Sequence, residues 1–323
     1  MGLTKRLPRE LLRHRAALQE AAFSCLADLP DDAPMVECRA LLLYNDASHP
    51  RCVSPGFQVP MEKLLEAHGL IKRYNGRAVV DHVSFSVGGG EAIGMLGPNG
   101  AGKTTAFRMC IGMIKPAAGS VMFNGVEVTR FPMHQRCRLG MSYLAQEPSL
   151  FQSMSVEDNL TAIMEMQGVG RAARDKKARE MLGEFGLTAL RDQPAFTLSG
   201  GERRRLEIAR ALCGDPKIIL LDEPFTGIDP IAVGEVQRMV VGLKDKGIGV
   251  LITDHNVLEA LRITDRAYIL SEGKIIAQGP AEQILEDPVA RRSYLGDRIK
   301  AEHLAVGNAT DNAGSQATGS DGT

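Results

Sequence analysis

Gly97-Pro98-Asn99-Gly100-Ala101-Gly102-Lys103-Thr104 fits the pattern G-x-x-x-x-G-K-[ST] at every fixed position. Ala92 to Leu96, just before it, is a short apolar run of strand type, and Thr105 to Met113 can continue as a helix. In that setting, glycines let backbone N–H groups close around phosphate oxygens. The following helix turns its N-terminal dipole toward the same anion. Lys103 then reaches the terminal phosphates, the Thr104 hydroxyl holds Mg²⁺, and Thr105 lies against the inner phosphates.

Three further strand-like runs end in polar residues. Ile218-Ile219-Leu220-Leu221 runs straight into Asp222-Glu223-Pro224. Four aliphatics in a row predict a strand buried on both faces of a parallel sheet, and ligands of such sheets collect at the carboxyl ends of the strands. Asp222 is placed to hold Mg²⁺ and Glu223 to polarise or deprotonate an attacking water. Val250 to Thr253 ends at Asp254-His255, where His255 suits a hydrogen bond to a γ-phosphate. Met141 to Ala145 ends at Gln146-Glu147-Pro148, where Gln146 suits contact with water and Mg²⁺.

Composition narrows the classes. The chain has 323 residues, 44% hydrophobic, with a formal net charge of -1 and no tryptophan. There is no global basic field for nucleic acid and little for base stacking. Arg203, Arg204, Arg205 and Arg210 share a helix with Glu202 and Glu207, a pattern that predicts solvated or salt-bridged arginines rather than RNA contact. The six cysteines are spread without a C-x-x-C pair, which predicts free thiols. No run approaches the roughly 18 apolar residues of a membrane span, so any membrane link is expected through a partner.

The chain divides unevenly. Residues 1–62 are basic at the start, then proline-rich with little periodicity, and read as a poorly ordered extension. Residues 63–300 carry the regular pattern, and 301–323, rich in Ala, Gly, Asn, Thr and Ser, read as a disordered tail. Within the regular part, a strand is expected over Gly69 to Arg73 and another over His82 to Val87, joined through the Asn75-Gly76 turn. Asn124-Gly125 and Glu272-Gly273 mark two more hairpins. Ser155-Val156-Glu157-Asp158 resembles a capping box and opens a helical insertion over about 150–200, whose methionines read as packing. The expected fold is α/β, a phosphate-loop core with an antiparallel β subdomain and a helical subdomain.

Leu198-Ser199-Gly200-Gly201-Glu202 opens another helix, a second anion-binding N-terminus in a chain with one phosphate-loop lysine. A head-to-tail dimer resolves this economically, each Ser199-Gly200-Gly201 closing over the nucleotide of the other copy. Phosphate loop, glutamine, Leu-Ser-Gly-Gly, Asp-Glu and histidine, in this order, resemble the ATP-binding cassette (ABC) ATPases over about residues 66–296. The resemblance implies ATP and Mg²⁺ as ligands and assigns further roles. Tyr74 matches the aromatic that stacks on adenine, and Gly97 to Thr105 matches the Walker A loop. Gln146 matches the Q-loop, Ser199 to Glu202 the signature, and Asp222 with Glu223 the Walker B pair. Gly227-Ile228-Asp229-Pro230 matches the dimer-facing D-loop, and His255 the switch histidine.

Tyr143 to Phe151, Leu198 to Leu212, Leu221 to Pro230, Leu251 to Val257 and the ending Tyr294-Leu295-Gly296 resemble the branch of that family that powers lipopolysaccharide export. That implies a homodimer under two transmembrane permease subunits, peripheral on the cytoplasmic face of the inner membrane, with Phe151 on the surface that receives them. Gln152 stands where relatives are usually basic. Two other readings have similar sequences or motifs: the ATPase of a branched-chain amino-acid importer, and a soluble cassette acting on ribosomes or DNA. The soluble kind usually carries paired cassettes or a long coiled-coil insertion, and this chain has neither.

Overall fold

The computed structural model describes residues 63–295. The expected 1–62 extension and 301–323 tail lie outside the described residues. Strands β1 (Lys63–Tyr74) and β2 (Arg77–Gly88) form the first hairpin, with Asn75 and Gly76 both at positive φ, 49° and 79°. That is the backbone a two-residue hairpin turn requires. β1 begins ahead of the expected Gly69 because the strand continues through a bulge there, Gly69 adopting φ 56°. After β3 (Ala92–Leu96) comes helix α1 (Lys103–Ile111). It stops short of Met113 because Gly112 takes a left-handed φ of 85° and turns the Met113 and Ile114 N–H groups back to Arg108 O, at 2.9 and 3.1 Å.

β4 (Ala118–Phe123) and β5 (Val126–Glu127) complete an antiparallel sheet in the order β2-β1-β4-β5. Short α2 (Met133–Arg138) leads to β6 (Met141–Leu144). Helices α3 (Val156–Met166) and α4 (Arg171–Glu184) build the helical region; the Ser155 hydroxyl caps α3 by accepting the Asp158 N–H at 3.0 Å. Met164 and Met181 pack inside this region, as expected, whereas Met166 is exposed.

Helix α5 (Gly200–Leu212), β7 (Ile218–Asp222), α6 (Pro230–Asp245), β8 (Gly249–Asp254), α7 (Val257–Leu261), β9 (Arg266–Ser271), β10 (Lys274–Gly279) and α8 (Ala281–Glu286) follow. The second sheet runs β10-β9-β3-β8-β7-β6, parallel except at the β10 edge. The third hairpin therefore extends the parallel sheet, whereas the other two belong to the antiparallel layer. A turn signal is local and says nothing about which sheet its strands join.

Successive residues of the central strands enter different cores. Ile218 and Leu220 face the core shared with the antiparallel sheet and α1, while Ile219 and Leu221 face the core under α3 to α6. Leu251 and its neighbours Val250 and Ile252 divide in the same way. Burial on both faces is why these strands are continuous aliphatic runs.

Candidate functional site

β3, β8, β7 and β6 are neighbours, and their carboxyl ends deliver Gly97, Asp254-His255, Asp222-Glu223 and Gln146 to one rim of the sheet. The loop between β3 and α1 turns under strong steric limits. A Cβ at Gly97 (φ 148°) would sit 2.1 Å from Leu270 O, and one at Gly102 (φ 102°) would sit 2.4 Å from Val79 O. These two glycines are required by the protein's own backbone, beyond any need of a phosphate. At Gly100 a Cβ would meet no atom of the described residues within 4 Å, so that face of the loop is open among them. Pro98 and Asn99 complete the turn, and the Ala101 N–H returns to Pro98 O at 3.2 Å.

Lys103 is only 5% exposed and donates to Gly97 O at 2.6 Å and Pro98 O at 3.0 Å. Burial pulls its pKa down, against the opposing charges of Glu223, Asp254 and Asp222. A phosphate brought to the loop adds negative charge beside this ammonium, which is otherwise solvated by carbonyl oxygens. Thr104 and Thr105 follow in the first turn of α1, half-buried at its N-terminus.

Asp222 is 1% exposed. Its Oδ1 accepts from the Thr253 hydroxyl at 2.6 Å and its Oδ2 from the Tyr143 hydroxyl at 3.2 Å. Burial, then the nearby Asp222 charge, pushes the Tyr143 phenol up. Among the described hydrogen bonds each Asp222 oxygen accepts one, which leaves each a lone pair. One carboxylate, the Thr104 hydroxyl and the Gln146 amide oxygen are hard oxygen donors that suit a Mg²⁺ ion arriving with nucleotide phosphates.

Glu223 is the hub. Its Oε2 accepts from Gln146 Nε2 at 2.8 Å and from the Thr226 hydroxyl at 3.1 Å, and His255 Nδ1 lies 3.6 Å away. Thr226 Oγ1 is also 3.4 Å from His255 Nδ1. Glu223 adopts φ 49°, a left-handed conformation that costs a non-glycine residue about 1–2 kcal/mol. Its N–H donates to Thr253 O at 2.8 Å. Tyr294, in the last described turn, donates its hydroxyl to His255 O at 3.1 Å, and burial pushes that phenol up to about 12. The sequence reading missed Tyr143, Thr253 and Thr226. Thr253 carried a signal, a polar residue closing an apolar strand; Thr226 and Tyr143 carried none beyond their proximity to Glu223 and Gln146.

The remaining expected site residues lie elsewhere. Ser199 caps α5 in a reciprocal box: its hydroxyl accepts the Glu202 N–H at 3.4 Å, and Glu202 Oε2 accepts the Ser199 N–H at 2.9 Å. Ser199 and Gly200 are exposed, and Gly201 packs on Ala232 of α6. Asp229 caps α6, accepting N–H groups of Ile231 and Ala232 at 3.0 Å each. Among the described hydrogen bonds, none joins Ser199, Gly200, Gly201 or Asp229 to the phosphate loop. Tyr74 ends β1, exposed, with Lys72 Nζ 5.4 Å from its ring centre.

The arginines of α5 are engaged within the fold. Arg204 pairs with buried Glu207 at 2.9 Å and also reaches Ala145 O, Arg205 pairs with Glu235, and Arg210 reaches Ser149 Oγ at 2.5 Å. Phe151 is 43% exposed under the Arg210 guanidinium.

Comparison with known proteins agrees with this geometry. Residues 80–226 match the family model described as ABC transporter. The chain is 50% identical over 240 residues to the lipopolysaccharide export system ATP-binding protein LptB of Acidithiobacillus ferridurans, covering 74% of this chain and 100% of that protein. It is 49% identical over 237 residues to LptB of Escherichia coli strain K12, covering 73% and 98%. A crystal structure of an ATP-binding cassette of an ABC transporter in its ADP conformation superposes with a TM-score of 0.67 at 30% identity, covering 73% of this chain and 100% of the other. The buried lysine loop, the carboxylate hub and these likenesses agree: the chain belongs to the ABC transporter family as one of its nucleotide-binding, ATP-hydrolysing subunits.

Proposed function

We propose that this ATPase powers lipopolysaccharide export from the inner to the outer membrane, as a homodimer docked on the cytoplasmic face beneath two transmembrane permease subunits of the LptF/LptG kind. The observation that carries the reading is the 50% identity over the full length of an LptB. Among the described residues, no helix is long and apolar enough to cross a membrane, so docking rests on a surface such as that of Phe151.

In this reading, the β- and γ-phosphates enter the open face of the loop at Gly100, and Lys103 turns from its two carbonyls to meet them. Mg²⁺, when bound, neutralises the phosphate charge that develops during hydrolysis. Asp222, Thr104 and Gln146 are the residues that would hold it. Glu223 accepts the proton of the attacking water, its Oε2 already oriented by Gln146, Thr226 and His255. His255 hydrogen-bonds the γ-phosphate, and Tyr74 stacks on adenine. Ser199, Gly200 and Gly201 close over the nucleotide of the second copy, with Asp229 at the dimer seam. Closure by ATP and opening after hydrolysis move the permease.

The test is capture of tagged Glu223→Gln from native membranes with ATP, with partners identified by mass spectrometry. Two related membrane subunits with periplasmic β-rich domains are expected. Recovery of amino-acid permeases instead would keep the motor and replace the cargo; ribosome co-sedimentation without any membrane partner would overturn the transport reading.

A further inference from the structure

Asp254 is a carboxylate at the rim of the site that none of the steps above uses. It closes β8, paired in register with Leu96 at the mouth of the phosphate loop, while its neighbour Thr253 pairs with Asp222. Its side chain is 0% exposed. One carboxylate oxygen, Oδ2, accepts the Phe225 N–H at 3.2 Å. The other, Oδ1, accepts the Asn256 N–H at 2.7 Å and lies 3.6 Å from His255 Nδ1. Among the described ion pairs it has no lysine or arginine partner; Lys103 of α1 acts on it only through space. Burial raises its pKa, while the two backbone amides lower it.

We propose that Asp254 is a positioning residue for hydrolysis, a buried clamp that holds the Glu223 loop and the His255 loop in fixed relation. Phe225 lies two residues beyond Glu223, and Asn256 lies one beyond His255. One oxygen therefore fixes each loop. The Glu223 loop needs such a fixture, because left-handed φ at a non-glycine residue persists only where its surroundings over-determine it. Thr253 O holds the Glu223 N–H from behind, and Asp254 holds the chain two residues on. A shift of either loop would separate Glu223 Oε2 and Thr226 Oγ1 from His255 Nδ1, the contacts that join the two loops beside the carboxylate. Packing alone would be served more cheaply by a neutral residue of similar volume, because a buried carboxylate with no lysine or arginine partner is costly.

The proposal rests on the ATPase reading, which wild-type turnover and its loss in Glu223→Gln test separately in the same assay. The experiment is steady-state MgATP hydrolysis by the full-length chain, with thermal unfolding in parallel. Asp254→Asn keeps the shape but turns an NH₂ group toward one of the two amide donors. Its kcat is expected to fall on the order of 10- to 10²-fold, the scale of a misplaced reacting group. KM for ATP should stay within about twofold, because the phosphate loop is untouched. Asp254→Glu keeps the charge but displaces both oxygens, and a loss of similar size is expected. Wild-type kcat per folded molecule in Asp254→Asn would overturn the proposal. So would a wild-type Asp254→Glu, which would assign the effect to charge near Lys103. Asn256→Pro serves if both variants fail to fold. The φ of −84° at Asn256 lies a few degrees from the range proline adopts, and the substitution removes one amide while leaving the carboxylate. A reduced kcat at unchanged KM supports the clamp, and an unchanged kcat overturns it.

Discussion

The two ends of this cassette that expect phosphate are built differently. At the phosphate loop, Lys103, Asp222 and Asp254 are buried, and Glu223 gathers contacts from Gln146, Thr226 and His255, residues of three separate strand ends. At the start of α5, Ser199 and Gly200 are exposed, and the Ser199 hydroxyl is occupied with Glu202 of its own helix. One region is a finished electrostatic site; the other is a capped helix N-terminus with an exposed first turn. A helix end of that kind attracts phosphate through its free N–H groups and its dipole. Among the described hydrogen bonds none brings the two together, which fits the proposal of a site shared between two copies.

The sharpest break should come from Glu223→Gln. Removing the base should lower turnover about 10²–10⁴-fold with ATP binding retained, measured by phosphate release beside nucleotide affinity, and should accumulate dimers in sedimentation. Normal turnover would remove Glu223 from the role of base.

The shared-site comparison is next. Lys103→Ala should weaken ATP binding about 10- to 10²-fold, the worth of a hydrogen bond to a charged group. Gly200→Glu, which sets a carboxylate where the anion belongs, should lower turnover about 10-fold or more while leaving ATP binding to a single chain near normal. In the proposed dimer, a mixture of the two impaired variants would form one intact site per mixed dimer, from the Lys103 of one copy and the Gly200 of the other. Turnover should therefore return on mixing, and a mixture that stays inactive would place each signature in its own chain.

Smaller effects are expected farther out. Tyr74→Ala should raise the Kd for ATP about tenfold, within the range for a base-stacking aromatic, with saturated turnover little changed. Equal affinity would remove Tyr74 from the adenine site. Phe151→Ala should alter the ATPase of the isolated chain the least, within about twofold as for an exposed side chain far from such a network, yet reduce capture of the permease subunits. Unchanged capture would move the docking surface elsewhere.

The legible part of this protein was the part written in consecutive residues. Gly97 to Thr104, Asp222-Glu223 after four aliphatics, and Ser199-Gly200-Gly201 at a helix start each state their chemistry within one turn of chain. The loop's glycines were read as making room for phosphate, which Gly100 fits. Gly97 and Gly102 have a second reason visible only in three dimensions, the close approach of Leu270 O and Val79 O. The Glu272-Gly273 turn was legible, but its membership of the parallel sheet was not.

What the sequence determined by itself was therefore local: strand and helix periods, turns with positive φ, caps, and the residue types able to hold phosphate or Mg²⁺. These follow from backbone sterics and side-chain chemistry over a few neighbouring residues. What the tertiary structure decided was which of them meet. Tyr143, Thr253, Thr226 and Asp254 became parts of the site because two cores bury both faces of β7 and β8 and set adjacent strands in one register. That register brings strand ends far apart in sequence within hydrogen-bond distance, and no local pattern encodes it.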